Sequence, residues 1–218
     1  MTPKSQFLPP ELQEYIISHS VPLDDVQRDL IAETAALGSV ASMQISPEQG
    51  AFLTVLTGAL GVRYAVEVGT FTGYSSIAIA RGLPNDGRLL CCDVSDEWTS
   101  TARKYWDRAR LADRIELRLG PAADTLKALP AEPHIDLAFL DADKTGYIGY
   151  WEELVPRMRP SGVILADNVF ANGAVLEENP EEENARAIKA FNDHVLADER
   201  VNVALLAIAD GLTFARRR

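Results

Sequence analysis

The chain has 218 residues, of which 47% are hydrophobic, and its formal net charge is −11. This length fits one large domain with a substantial core, and the hydrophobic content excludes an intrinsically disordered chain. The acidic balance disfavours non-specific binding to nucleic acid, because contacts to phosphates require lysine and arginine.

The first part of the chain is predicted to be helical, with helices over residues 11–18 and 24–37. A further helix begins near residue 46, where Ser46 suits the N-cap and Pro47 the first helical position. Gln49 stands where it would complete a capping box with Ser46. Apolar residues then recur at helical spacing until Gly61 ends the helix. We treat residues 1–45 as an N-terminal helical region and 46–218 as the core of the same single domain.

Strand and helix patterns alternate from residue 64 onwards. Strands are predicted over 64–68, 88–94, 115–119, 135–140, 162–166, 201–208 and 212–215, and helices over 73–81, 96–110, 122–129, 147–155 and 183–196. Such alternation requires a mostly parallel sheet with helices on both faces. The Asp210-Gly211 pair between the last two apolar runs is typical of a hairpin turn, so the last strand is antiparallel. The fold class is therefore α/β and Rossmann-like, and its ligands bind at the carboxyl ends of the strands.

A glycine-bearing turn follows the first predicted strand, with the sequence Glu-Val-Gly-Thr-Phe-Thr-Gly at residues 67–73. Gly69 permits a tight turn and a close approach of a ligand to the backbone. The middle glycine of the dinucleotide pattern G-x-G-x-x-G is missing, so a nucleoside without a pyrophosphate fits better than a dinucleotide. An ordinary strand–helix turn would have the same sequence features.

Three further positions could contact such a nucleoside. Asp93 ends the second predicted strand, where a carboxylate can accept hydrogen bonds from both ribose hydroxyls. An isolated aspartate there also caps turns, and the nearby glycine turn favours the ligand role. Ser75, at the start of the following helix, can contact a ligand or cap the helix. Ala122 opens the helix after the third strand, where its backbone N–H can meet an adenine ring.

Oxygen-bearing side chains follow the fourth and fifth predicted strands: Asp141, in the sequence D-A-D-K, and Asp167 with Asn168. Each of them alone is typical of a turn or an N-cap. At neighbouring strand ends they form a set of hard oxygen ligands that selects a cation such as Mg²⁺. Lys144, three residues after Asp141, is a candidate general base, since a nearby cation favours the neutral amine that a base requires. The alternative for Lys144 is a solvated lysine or an ion pair with Asp143.

The cysteine content and the lack of long apolar segments indicate the cellular compartment. Cys91 and Cys92 are adjacent within an apolar run and give no disulfide framework, which favours a reducing compartment such as the cytoplasm. The first residues lack the charged and apolar segments of a signal peptide, and no apolar stretch approaches the ~18–20 residues of a membrane span. We therefore expect a cytoplasmic protein without a membrane partner.

Together these residues resemble the cation-dependent O-methyltransferases of the caffeoyl-CoA and catechol type, over about residues 43–217. The stretch V-E-V-G-T-F-T-G-Y-S at 66–75 is similar to the S-adenosylmethionine loop of that family. D-A-D-K at 141–144, with Tyr147 and Tyr150, is similar to its metal and base motif, and D-N-V at 167–169 to its second metal motif. The terminal A-D-G-L-T-F-A-R-R resembles its closing hairpin. In this order and spacing the set is highly specific.

The resemblance implies a class I methyltransferase fold and a complete site. It implies that S-adenosylmethionine is bound by Ile45, Glu67, Gly69, Thr70, Ser75, Asp93, Ala122 and Asp141. It also implies that Asp141, Asp167 and Asn168 hold Mg²⁺ or a similar divalent cation, and that Lys144, beside Asp141, is the catalytic base. The family commonly forms homodimers through the N-terminal helical region, so a homodimer is expected.

The resulting hypothesis is methyl transfer from S-adenosylmethionine to a hydroxyl of a small aromatic acceptor with vicinal hydroxyls. Two other acceptors stay open: a modified nucleoside of tRNA, for which the arginine-rich stretch 103–118 is the one place where a binding face could lie, and a hydroxyacyl group on a carrier protein. A donor-binding module without catalysis is a further alternative, and the presence of Lys144 and of three ligands argues against it. A nicotinamide-dependent oxidoreductase is disfavoured by the missing glycine.

One departure from the family pattern concerns the acceptor. After D-N-V the family often has leucine and an aromatic residue, whereas Phe170 and Ala171 stand here. The resemblance implies that the aromatic position helps to form the acceptor pocket. Its loss therefore puts the usual acceptors of the family in question and leaves the metal and donor sites intact.

Overall fold

The computed structural model describes residues 8–218, and residues 1–7, the start of the predicted N-terminal helical region, lie outside the described residues. The described helices are α1 (Pro10–Ser18), α2 (Asp25–Ala35), α3 (Pro47–Ala59), α4 (Tyr74–Gly82), α5 (Asp96–Arg108), α6 (Ala122–Lys127), α7 (Tyr147–Leu154) and α8 (Glu183–Ala197). Within residues 8–218, none of the helices combines the length and the apolar character needed to cross a bilayer.

Seven strands form one sheet in the part of the chain that the structure describes. They are β1 (Tyr64–Val68), β2 (Arg88–Asp93), β3 (Ile115–Leu119), β4 (Ile135–Leu140), β5 (Met158–Asp167), β6 (Val201–Leu206) and β7 (Leu212–Arg217). Their order is β3-β2-β1-β4-β5-β7-β6, and β7 is antiparallel to both of its neighbours. The predicted α/β fold with an antiparallel last strand is confirmed. The strand order reverses between β1 and β4, and ligands bind at such a switch point.

Two apolar layers hold the helices to the sheet because the parallel strands are apolar on both faces. One layer packs α3, α4 and α5 against the sheet through buried side chains such as Leu53, Ile77 and Trp106. The other layer packs α6, α7 and α8 against the opposite face, with Trp151 and Phe191 near its centre. The sheet is therefore covered on both sides, and its carboxyl edge is the place where loops can carry functional groups.

Helix α3 begins as predicted, but its capping differs from the prediction. The Ser46 hydroxyl accepts a hydrogen bond from the backbone N–H of Gln49 at 3.4 Å, and Pro47 is the first helical residue. The return bond from the Gln49 side chain is not formed, so the predicted capping box is wrong in its second half. A complete capping box instead joins Asp24 and Gln27 at the start of α2.

Strand β5 is longer than predicted, because it begins at Met158 rather than at residue 162. The added segment contains Pro160, although proline is disfavoured inside strands. It joins the strand through an irregular pairing: Ser161 has a φ of 67°, and the register between β4 and β5 shifts between Ile135 and Leu137. Strand β6 ends at Leu206, earlier than predicted.

Candidate active site

The glycine turn after β1 passes directly against the end of β4. Gly69 has a φ of 91°, and a Cβ atom at this position would lie 2.1 Å from the carbonyl oxygen of Asp141. Only glycine tolerates both the left-handed backbone and this approach. The backbone N–H of Gly69 donates to the carbonyl of Cys92 at 2.9 Å, which fixes the turn to β2 as well. The turn and Asp141 therefore belong to one site.

Asp93 organises this turn through backbone hydrogen bonds. Its Oδ2 accepts from the N–H groups of Thr70 at 2.9 Å and Phe71 at 2.8 Å, and its Oδ1 accepts from that of Ser95 at 2.8 Å. A carboxylate offers about four lone-pair sites, so one stays open for a ligand hydroxyl. The sequence placed Asp93 beside the turn but did not predict that the carboxylate also holds the turn in shape.

Glu67 lies behind the turn and is completely buried. Burial raises the pKa of its carboxyl to about 7. The Cys91 thiol donates to Oε2 of Glu67 at 3.3 Å, while Oε1 has no hydrogen-bond partner. The hydroxyls of Thr70 and Ser76 partly offset this rise in the pKa of Glu67. Both hydroxyls are buried, and neither has a hydrogen-bond partner. This pocket of unpaired polar atoms suits a polar ligand.

Two other predicted donor-site residues, Ser75 and Ala122, lie at the same edge of the sheet. Ser75 is in the first turn of α4, after β1, and Ala122 opens α6, after β3. The N–H of Gly120 donates to the carbonyl of Asp93 at 2.9 Å, which brings the loop before Ala122 to the end of β2. Ile45 is buried immediately before the N-cap of α3.

Lys144 bonds to two groups of the predicted catalytic edge. Its Nζ donates to Oδ1 of Asp141 at 3.0 Å and to the hydroxyl of Tyr147 at 2.7 Å. The Tyr147 hydroxyl lies 3.1 Å from the carbonyl oxygens of both Leu140 and Asp167, and its single proton can serve either. Tyr147 thus joins the ends of β4 and β5. In the sequence Tyr147 is notable only as part of the D-A-D-K motif, and its spacing of three residues from Lys144 is the signal for this contact.

Asp167 is 2% exposed and lies near Asp141. Burial, together with the negative charge of Asp141, raises the pKa of the Asp167 carboxyl to about 7. The N–H of Asn168 donates to Oδ1 of Asp167 at 2.8 Å, and Asn168 has a φ of 58°, a left-handed conformation that asparagine tolerates well. Two acids therefore share one amine, that of Lys144, at a buried edge.

This donor set fits a hard divalent cation, because a positive charge would offset the repulsion between the buried Asp167 carboxylate and the partly buried Asp141 carboxylate, which only one amine now balances. Within residues 8–218, no group of three or more His, Cys, Asp or Glu side chains is placed to hold a metal. The candidate set consists of two carboxylates and one amide oxygen, so water or an acceptor would have to complete the coordination. Asp143 does not add a carboxylate, since its Oδ1 accepts from the Tyr150 hydroxyl at 2.6 Å.

Two further residues near this edge were not predicted as functional. Gln49, on α3, is completely buried beside Asp167, and neither atom of its amide has a hydrogen-bond partner. Asp210, at the tip of the β6–β7 hairpin, accepts a hydrogen bond from the N–H of Asn172 at 2.8 Å. Burial raises the pKa of Asp210, and the charge of Lys144 partly offsets this rise. The hairpin tip therefore adjoins both Lys144 and the loop that follows Asn168.

Similar proteins of known name match nearly the whole chain. A family model described as O-methyltransferase matches residues 17–218. The chain is 40% identical over 203 residues to "Probable caffeoyl-CoA O-methyltransferase 2" of Dictyostelium discoideum, covering 91% of this chain and 88% of that protein. It is 34% identical over 195 residues to the catechol O-methyltransferase of Niastella koreensis, covering 85% and 88%. The structure matches an O-methyltransferase from Bacillus cereus in complex with SAH, with a TM-score of 0.87, 32% identity, and coverage of 95% of this chain and 97% of that one.

Proposed function

Because the chain belongs to the S-adenosylmethionine-dependent O-methyltransferases of the caffeoyl-CoA and catechol type, we propose that it methylates a small aromatic acceptor with vicinal hydroxyls and depends on a divalent cation. The observation that carries the cation dependence is the pair of acids at the ends of β4 and β5. Asp167 is buried beside Asp141, and their only neighbouring amine is that of Lys144 in the described site. The proposed cation ligands are Asp141, Asp167 and Asn168.

The donor is proposed to lie over the glycine turn. Gly69 lets the turn approach the end of β4, and Asp93 holds the turn while keeping one lone-pair site for a ribose hydroxyl. The unpaired Oε1 of Glu67 and the hydroxyl of Thr70 provide buried polar contacts below it. The remaining proposed contacts are Ile45, Ser75, Ala122 and Asp141.

Lys144 is proposed to take the proton from the acceptor hydroxyl as the new carbon–oxygen bond forms and the carbon–sulfur bond of the donor breaks. In the structure its ammonium is held by Asp141 and Tyr147. A divalent cation, when bound, would supply positive charge that makes a nearby hydroxyl more acidic.

A tRNA acceptor receives no support from the arginine-bearing stretch 103–118. Arg108 is paired with Asp29 at 2.5 Å and Arg118 with Glu116 at 2.7 Å, and Arg103 is paired with Asp96. Three of the five arginines of the stretch therefore already have acidic partners, which argues against a phosphate-binding face.

A homodimer in the cytoplasm is part of the proposal. Large apolar side chains are exposed on and near the N-terminal helices, among them Leu12, Tyr15, Val55 and Leu60. A second copy could cover such side chains, since contiguous exposed apolar surface commonly marks an interface. Light scattering coupled to size exclusion would test this, and a monomeric mass at micromolar concentration would contradict it.

The test of function is a screen of hydroxylated aromatic compounds with labelled donor, with and without Mg²⁺. We expect methylation of vicinal diols, loss of activity after exhaustive EDTA treatment, and recovery on addition of Mg²⁺. Asp167→Asn should lose the Mg²⁺ response, and Asp113→Asn, an exposed control on a short turn, should keep it. Full activity after EDTA treatment would remove the cation from the mechanism, and methylation of mono-hydroxyl acceptors alone would remove the vicinal diol.

A further inference from the structure

Gln49 is a buried polar side chain whose amide has no partner. The residue is completely buried, and neither its Nε2 nor its Oε1 forms a hydrogen bond. Buried polar groups in folded proteins are nearly always paired, so an unpaired amide needs a reason. A methionine or leucine would fill a similar space without burying an unpaired amide.

The position of Gln49 on α3 would favour a different contact. As the third residue of the helix it could close a capping box with Ser46, but its side chain turns inward instead. Its backbone is fixed, because Gly50 lets α3 pack tightly on Tyr74 of α4, where a Cβ atom would lie 2.7 Å from the ring. Thr54 adds a hydrogen bond of 2.8 Å to the carbonyl of Ala78 on the same helix. The side chain of Gln49 is therefore the part of the residue that can change its conformation.

The functional group that the Gln49 amide influences is the carboxyl of Asp167. The amide lowers the pKa of that carboxyl, and neither of its atoms has a hydrogen-bond partner. The N–H of Asn168 occupies one lone pair of Oδ1, so other lone pairs of the carboxylate can accept from an amide. A small rotation of the Gln49 side chain would complete the contact.

Resting on the proposed cation dependence, we propose that Gln49 is a positioning residue whose Nε2 hydrogen-bonds the Asp167 carboxylate when the cation site is filled. Residues that orient a metal ligand from behind typically change metal affinity by ~10–100-fold when they are removed. The unpaired amide in the ligand-free protein then reflects a side chain placed for the ligand-bound state.

Gln49→Met tests this role, with Gln27→Met as the matched control. Methionine has a similar shape and no amide. Gln27 is also buried, but its amide is paired, since its Oε1 accepts from the N–H of Asp24 in the capping box of α2. We expect Gln49→Met to bind Mn²⁺ about 10-fold more weakly by electron paramagnetic resonance. Its melting temperature without metal should rise by about 2–4 °C, because an unpaired buried amide is removed. Gln27→Met should show wild-type Mn²⁺ affinity and a lower melting temperature.

The outcomes separate this inference from the proposed function. Wild-type Mn²⁺ affinity in Gln49→Met, or a melting temperature that falls as in Gln27→Met, would overturn the positioning role while leaving the cation site in place. Failure of the wild-type protein to bind Mn²⁺, or equal binding by Asp167→Ala, would refute the cation site itself and the role of Gln49 with it. Affinity for S-adenosylhomocysteine, measured without metal, should be the same in both glutamine variants.

Discussion

Replacing Glu67 with glutamine should make the protein more stable at high pH and change little at low pH. Burial raises the pKa of the Glu67 carboxyl from 4.5 to about 7. The folded state therefore binds its proton more tightly than the unfolded state does, and the stability of the wild-type protein falls as the pH rises from about 4.5 to about 7. This difference in pKa corresponds to about 3 kcal/mol in full, of which about 2–3 kcal/mol develops between pH 5 and pH 8.

Urea unfolding of wild type and Glu67→Gln at several pH values between 5 and 8 measures this effect. The difference between the two proteins should grow in favour of the variant by about 2–3 kcal/mol across that range. Contributions from other groups cancel in the difference, as does any constant change from the new amide beside Cys91. A difference in unfolding free energy that does not change with pH would show that burial does not raise the pKa of Glu67. If Glu67 also contacts the donor, the variant should bind S-adenosylhomocysteine more weakly while being more stable.

Substitutions at three other residues test the site. Lys144→Ala should lower turnover by ~10²–10⁴-fold with S-adenosylhomocysteine affinity by calorimetry unchanged, and Lys144→Arg, which keeps the charge but cannot act as a base, should be equally impaired. Tyr147→Phe removes the hydroxyl shared by two buried strand-end carbonyls and should cost about 1–3 kcal/mol in urea unfolding. Gly69→Ala should abolish donor binding and destabilise the protein by at least ~2 kcal/mol more than Gly173→Ala, which also has positive φ but no atom within 4 Å of the added Cβ. Similar losses in both glycine variants would refute the close approach at the turn.

Most strands of the sheet were predictable because they are short apolar runs between turn residues. β1 and β4 have their predicted bounds, since a strand buried on both faces carries its signal in nearly every residue. β3, at the edge of the sheet, also has its predicted bounds, and its signal is the alternation of apolar and charged residues. β5 was predicted too short because residues 159–161 interrupt the apolar run and are exposed, whereas the irregular pairing with β4 includes them in the strand. That pairing depends on a neighbouring strand and has no local signal.

The grouping of the site residues was predictable for a geometric reason. Parallel strands end at one edge of the sheet, so the groups that follow β1, β2, β4 and β5 are brought together without any knowledge of the loops. The contacts that the side chains make at this edge were harder to predict from the sequence. Gln49 has the spacing of a capping residue but turns toward Asp167, and Asp93 holds the glycine turn as well as facing the ligand space. Both outcomes depend on tertiary contacts that local rules do not contain.

Glu67 and Asp167 present the same physical problem at two points of one edge. Each is a carboxyl removed from water, with its pKa raised to about 7, in a place where an apolar residue would favour folding. Each also lies where a positively charged ligand is proposed, the sulfonium donor above the glycine turn and the cation beside Asp141. Binding of these ligands would then relieve the unfavourable burial of the two carboxyls, and this relief would contribute part of the free energy of binding. The unpaired amide of Gln49 follows the same logic, so three unfavourable arrangements of the protein coincide with contacts that its ligands would complete.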